Sequence, residues 1–134
     1  MFIHQNITDA IGQTSFCLND LKRMKEDLGN PKNLDPRIYI NNIQGNKNAI
    51  LFSFQQYLGN RKTYNHDIIE IENDLVKLEK DFEDIISLFV KPSTEQVTQL
   101  EGILYKIQKL IVGQIQDNPT YYLQLKKNFP NNFK

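Results

Sequence analysis

The chain has 134 residues, of which 40% are hydrophobic and 24% charged, a composition typical of one globular domain rather than of a disordered chain. Sixteen basic and sixteen acidic side chains give a net charge of zero, which argues against a strongly basic nucleic-acid-binding protein. The single cysteine, Cys17, cannot form an internal disulfide, no leader pattern opens the chain, and no apolar run approaches the roughly 18 residues that span a bilayer. We therefore expect an intracellular, cytoplasmic protein without a membrane segment.

Apolar residues recur at alternating spacings of three and four, which predicts helices separated by turns. The first helix is predicted over residues 6–28, with Asn6 as its N-cap and Gly29-Asn30-Pro31 as its stop. The second is predicted to start at Asp35-Pro36 and to end at Gly59-Asn60. Gly45 lies among several asparagines, so we expect a break near the middle of this helix.

The third segment, residues 64–89, has the most regular spacing and predicts a long bundle helix. Ser93 and Gln96 then match a capping box, which predicts the start of a fourth helix that stops near Asp117. Asn118-Pro119 resembles a cap followed by a first-turn proline and predicts a short fifth helix.

These segments predict an all-α fold, an up-down four-helix bundle with a short fifth C-terminal helix, because long helices with short connections pack as antiparallel neighbours. The domain is predicted to cover residues 1–128, with a frayed tail at 129–134. The alternative architecture is an elongated helical hairpin that completes its core only with another chain.

Few residues are suited to catalysis or metal binding. A metal centre in a bundle needs several inward carboxylates and histidines, but the only histidines are His4 and His66. His66 and Glu70 are one turn apart, a spacing typical of an exposed pair. Cys17 lies beside the core-facing stripe of the first helix without a basic neighbour, which indicates a structural cysteine. We therefore predict no metal and no cofactor.

One short pattern suggests an enzyme. In Arg61-Lys62-Thr63-Tyr64-Asn65-His66, four residues separate the arginine from the histidine, and the pattern resembles the R-x(4–6)-H motif of HEPN-fold ribonucleases, which are small all-helical proteins. The resemblance implies a metal-independent ribonuclease of a toxin or defence system. Arg61 would stabilise charge on the scissile phosphate, and His66 would handle a proton during attack by the ribose 2′-hydroxyl. Lys62 departs from the small polar residue usual after the arginine, and a loop with a helix start explains the same residues equally well.

Apolar residues outside the core-facing stripes provide the candidate binding surface, because such side chains need a second burial surface or stay exposed. The six candidates are Phe16, Phe52, Ile69, Val76, Tyr105 and Val112. The last four form two pairs at seven-residue spacing. Either the fifth helix covers one of these pairs, or they dock onto another subunit.

Residues 67–84 carry eight acidic side chains against two lysines, a pattern typical of a solvated face that would also favour a basic protein partner over nucleic acid. The sequence therefore favours a non-enzymatic helical protein–protein interaction module, such as a small subunit, adaptor or neutralising partner, acting with another protein or with itself. The alternatives are the ribonuclease and, with no polar groups to support it, a receptor for a small apolar ligand within the bundle.

Overall fold

A computed structural model describes residues 2–28, 36–61, 67–88, 93–114 and 119–129. Almost all of these residues are helical, and no strand occurs among them. The five helices are α1 (Phe2–Leu28), α2 (Pro36–Arg61), α3 (Asp67–Ser87), α4 (Thr94–Gly113) and α5 (Pro119–Asn128). The predicted all-α bundle with a short C-terminal helix is confirmed.

α1 runs antiparallel to α2, and α2 runs antiparallel to α3. Side-chain hydrogen bonds between the helices show this, because the residue numbers of the bonded partners decrease along one helix as they increase along the other. Between α1 and α2, the partners are Asp20 with Asn46 and Asp27 with Tyr39. Between α2 and α3, they are Gln44 with Glu83 and Lys47 with Glu79.

The four long helices enclose one core. α1 packs against both α2 and α4, α3 packs against α4, and the interface between α2 and α3 is the sparsest of the four. Phe54, Tyr57 and Phe82 are the largest fully buried side chains, and the first two rings stack with their centroids 6.3 Å apart. Because α1 meets α4, the chain closes its own bundle, and the elongated-hairpin alternative does not hold.

The start of α1 differs from the prediction. The helix begins at Phe2 rather than after Asn6, so Asn6 lies inside it and is not its cap. Gln5 Nε2 donates a hydrogen bond to Asp9 Oδ1 one turn later at 2.8 Å, and Ile7 is fully buried. Tertiary packing of the first turns therefore outweighs the preference of asparagine for a cap.

The predicted break in α2 is wrong, because the helix passes through Gly45 without interruption. The neighbours of this glycine are held on both sides. Asn46 Nδ2 donates to Asp20 on α1 at 3.0 Å, and Gln44 Nε2 donates to Glu83 on α3 at 2.9 Å. These contacts compensate for the low helix propensity of glycine.

The predicted capping box is present at the start of α4. Ser93 Oγ accepts a hydrogen bond from the Gln96 amide, and Gln96 Oε1 accepts one from the Ser93 amide, both at 3.1 Å. The end of α4 comes earlier than the predicted Asp117. The helix ends at Gly113, where the Gln114 amide donates to Ile111 and tightens the last turn.

Several predicted boundaries lie outside the described residues. These are the stop at 29–31, Asp35 before α2, the third-helix start at 64, and residues 115–118 before α5. The end of α3 is described, and the helix ends at Ser87, two residues before the predicted Phe89. Phe129, assigned to the tail by sequence, is partly buried against the core. Its amide donates to the Leu125 carbonyl at 2.8 Å. Residues 130–134 also lie outside the described part of the chain.

Candidate interaction surfaces

The arginine–histidine motif falls at the end of α2. This helix ends at Arg61, but the Arg61 side chain and the whole of His66 lie outside the described residues. The ribonuclease hypothesis therefore stays a prediction from the sequence.

The six candidate binding residues differ in exposure. Five are open to solvent, with exposed fractions of 63% for Phe16, 64% for Phe52, 53% for Ile69, 64% for Val76 and 42% for Tyr105. Val112 instead is partly buried against the core. The pair of Tyr105 and Val112 is therefore not a uniformly exposed stripe, whereas the pair of Ile69 and Val76 is.

Two further exposed apolar side chains are Leu88 and Leu123. Leu123 is two residues before the buried Leu125, so helical periodicity places it on the opposite side of α5, and the sequence pattern alone could have identified it. Leu88 follows the last residue of α3 in a turn, where its amide donates to the Ile85 carbonyl. Periodicity gives no signal at such a position.

Three of the exposed side chains lie on the neighbouring helices α2 and α3. Lys47 contacts Glu79 and Gln44 contacts Glu83 across the α2–α3 interface. In this antiparallel register, Val76, three residues before Glu79, is at the axial level of residues 50–51 on α2, which is within one turn of the level of Phe52. Ile69 lies two turns further along the same side of α3. We call Phe52, Ile69 and Val76 the α2–α3 edge.

Beneath this edge is a buried cation that the sequence analysis missed. The Lys47 side chain is only 4% exposed, and its Nζ lies 3.0 Å from Glu79 Oε2 and 2.5 Å from Glu83 Oε1. Burial by itself lowers the pKa of Lys47, but hydrogen bonds to Glu83 and Glu79 outweigh it and raise the pKa above its usual value. The signal was available, because Lys47 stands midway between Ile43 and Ile50 on the core-facing stripe of α2.

A second surface is an open groove of about 400 Å³ between the outer sides of α1 and α2. Its lining is Phe16, Asp20, Asn41, Asn42, Gly45 and Asn46, and we call it the α1–α2 groove. A Cβ atom placed on Gly45 would meet nothing within 4 Å. The groove therefore combines an exposed aromatic ring, a carboxylate and amides with an uncovered stretch of backbone.

A third surface is a groove of about 330 Å³ between α3 and α4. Two aspartates, two lysines and two leucines line it, namely Asp74, Lys77, Leu78, Asp81, Lys106 and Leu110. Its balanced charges give no preference for a partner of either sign.

Cys17 is fully buried, and its thiol donates to the Ile43 carbonyl with an Sγ–O distance of 3.8 Å. Burial, with a smaller contribution from the negative charge of Asp20, raises the pKa of this thiol to about 12. At neutral pH it is therefore protonated and shielded, as a structural cysteine is.

Within the described segments, no group of three or more histidine, cysteine, aspartate or glutamate side chains is placed to hold a metal ion. None of the helices there has the length and apolar character needed to cross a membrane. Comparisons with protein-family models, curated proteins and solved structures found no match.

Proposed function

We propose that this protein is a non-enzymatic helical interaction module, a small subunit, adaptor or neutralising partner that binds another protein through the outside of its bundle. The observation that supports the proposal is the α2–α3 edge, where Phe52, Ile69 and Val76 are each more than half exposed. Single exposed apolar residues are ordinary on a protein surface, whereas a group on neighbouring helices is typical of a binding site.

The bundle does not need these three side chains for its own core, since the core-facing positions of α2 and α3 are filled by other residues, including Ile50, Phe54, Leu75 and Phe82. Burying a large apolar side chain contributes about 1.5–3 kcal/mol relative to leaving it in water. Three such residues, each already partly covered, could supply about 3–5 kcal/mol of binding energy before the costs of association.

The charge of α3 favours a basic partner. Residues 67–84 carry eight acidic side chains against Lys77 and Lys80, although Glu79 and Glu83 are already engaged by Lys47. The remaining acidic side chains would attract a basic protein surface and speed its association at low salt. We further propose that the protein acts in the cytoplasm, as the absence of a disulfide partner for Cys17 favours.

The test is capture of partners by tagged protein from cells of the source organism. We expect the double variant Ile69→Ser/Val76→Ser, and separately Phe52→Ser, to reduce recovery of a specific partner at least tenfold. Leu123→Ser is the matched control, because Leu123 is 62% exposed and belongs to α5 rather than to α2 or α3. Circular dichroism confirms that each variant stays helical.

A photo-crosslinking residue at position 52 should also form a covalent product with the same partner. If the edge variants recover the same proteins in the same amounts as the wild-type chain, the edge is not the binding surface and the proposal fails.

A further inference from the structure

The outer face of α1 carries two charges of opposite sign beside an aromatic ring. Phe16, Asp20 and Arg23 follow one another at spacings of four and three, so they share one side of the helix. Phe16 is 63% exposed. One oxygen of Asp20, Oδ2, accepts from Asn46 at 3.0 Å. Arg23 is exposed, and within the described part of the chain it forms no hydrogen bond or ion pair. Its charge acts electrostatically on the nearby Tyr39 hydroxyl without a direct bond.

The α1–α2 groove adds room next to this face. Asn41, Asn42 and Gly45 form its α2 side, and the open space at Gly45 leaves the helix backbone accessible. A long side chain from a second molecule could therefore lie along Phe16 and reach Asp20 without displacing any residue.

A guanidinium group fits these neighbours best. It stacks on aromatic rings and pairs with carboxylates through two N–H donors. This face contains the guanidinium as well as its preferred neighbours, yet Arg23 and Asp20 do not pair within the chain. A face that carries both halves of an interaction is complementary to a rotated copy of itself.

From this complementarity we infer that the protein forms an antiparallel homodimer through α1. In this dimer, Arg23 of each copy stacks on Phe16 of the other copy and pairs with Asp20 of the other copy. A two-fold axis between Asn19 and Asp20, perpendicular to α1, places Arg23 of one copy opposite Phe16 of the other. The inference rests on the proposed interaction function and names a second copy as one partner. The α2–α3 edge is a separate surface and remains available for another protein.

The size of the face sets the strength of the dimer. α1 ends at Leu28, so a two-fold axis between Asn19 and Asp20 makes residues 11–28 of the two copies overlap over about 27 Å. With a width of about 10 Å, this stretch covers about 270 Å² on each copy. Even with the rim of the groove added, the total lies below the range of stable specific complexes, in the range of weak and transient ones. We therefore expect a dissociation constant in the micromolar range or weaker, and a dimer that weakens as salt increases.

Sedimentation equilibrium of the full chain between about 10 and 500 µM tests the inference. The mass should rise from 15.7 kDa at low concentration toward twice that value. Asp20→Arg and Arg23→Asp should each weaken the dimer at least tenfold, because each variant places like charges opposite one another. Phe16→Ala should also weaken it.

Mixing the two charge variants gives the sharpest result. An equimolar mixture of Asp20→Arg and Arg23→Asp restores opposite charges at both contacts, so the mixture should dimerise although neither variant does alone. Lys22→Glu is the matched control and should behave as the wild type, because Lys22 is exposed on α1 but outside this face. Circular dichroism confirms folding of all variants.

A wild-type chain that stays monomeric at 500 µM, or a mixture no more dimeric than its components, would overturn the inference. The two proposals fail separately. If the chain does not dimerise but partner capture still depends on the α2–α3 edge, only the dimer inference is refuted. If the Ile69→Ser/Val76→Ser variant captures partners as well as the wild type does, the proposed function is refuted.

Discussion

The buried ammonium of Lys47 makes the α2–α3 interface depend on two glutamates. Lys47 is 4% exposed, whereas the side chains of Glu79 and Glu83 are 39% and 42% exposed. This asymmetry determines what each deletion costs. Removing both carboxylates, with Glu79→Ala and Glu83→Ala, leaves a buried cation without a counter-charge and should cost about 3 kcal/mol of unfolding free energy.

Replacing Lys47 itself should lower the unfolding free energy much less. Lys47→Met keeps most of the apolar stem, and the half-exposed glutamates can regain water, so we expect a change within about 1 kcal/mol. The triple variant, which combines Lys47→Met with both glutamate substitutions, has no buried charge and should recover most of the loss.

Urea denaturation measures these differences. With a slope of about 1.5 kcal/mol per molar urea, a loss of 3 kcal/mol lowers the midpoint by about 2 M. If Lys47→Met destabilises the protein as much as the two glutamate substitutions do, or if the triple variant fails to recover, the reasoning is refuted.

The same network predicts a pH dependence. Burial tends to raise the pKa of Glu83, but hydrogen bonds from Lys47 and Gln44 outweigh it and hold the pKa below its usual value of 4.5. A lowered folded-state pKa contributes stability that is present above the unfolded-state value and is lost as pH falls through the folded-state value. As pH falls below about 4.5, the wild type should therefore lose unfolding free energy relative to Lys47→Met.

Three further predictions concern single positions. Cys17 should make the protein less stable above pH 9.0, because between pH 9.0 and about 12 its thiol ionises in the unfolded chain but not in the folded one. The unfolding free energy should fall by about 1.4 kcal/mol per pH unit over this range, and this fall should be missing from the pH profile of Cys17→Ala. Gly45→Ala should raise the unfolding free energy by about 0.5–1 kcal/mol in thermal denaturation, since the added methyl group meets nothing within 4 Å; a lower melting temperature would contradict this. Ser93→Ala should cost about 1 kcal/mol and speed amide exchange in the first turn of α4, whereas Ser93→Asp should retain most of the cap.

Much of the candidate site could be predicted from helical phase. Phe16, Phe52, Ile69 and Val76 are predicted to be exposed because their positions point away from the core-facing stripes, and in the structure each is more than half exposed. Val112 satisfies the same rule of phase, yet it is partly buried against the core. Phase gives the direction of a side chain on its own helix, but it does not say whether a neighbouring element lies there.

The sequence by itself determined the helices, because their signals act over a few residues: the spacing of apolar side chains, a proline at the start of α2 and of α5, and the reciprocal hydrogen bonds of Ser93 and Gln96. Only the tertiary structure decided that α2 continues through Gly45 and that Lys47 is buried between two glutamates. Both depend on which residues of distant helices stand opposite one another. That register follows from the packing of whole helices, and no local pattern of residues specifies it.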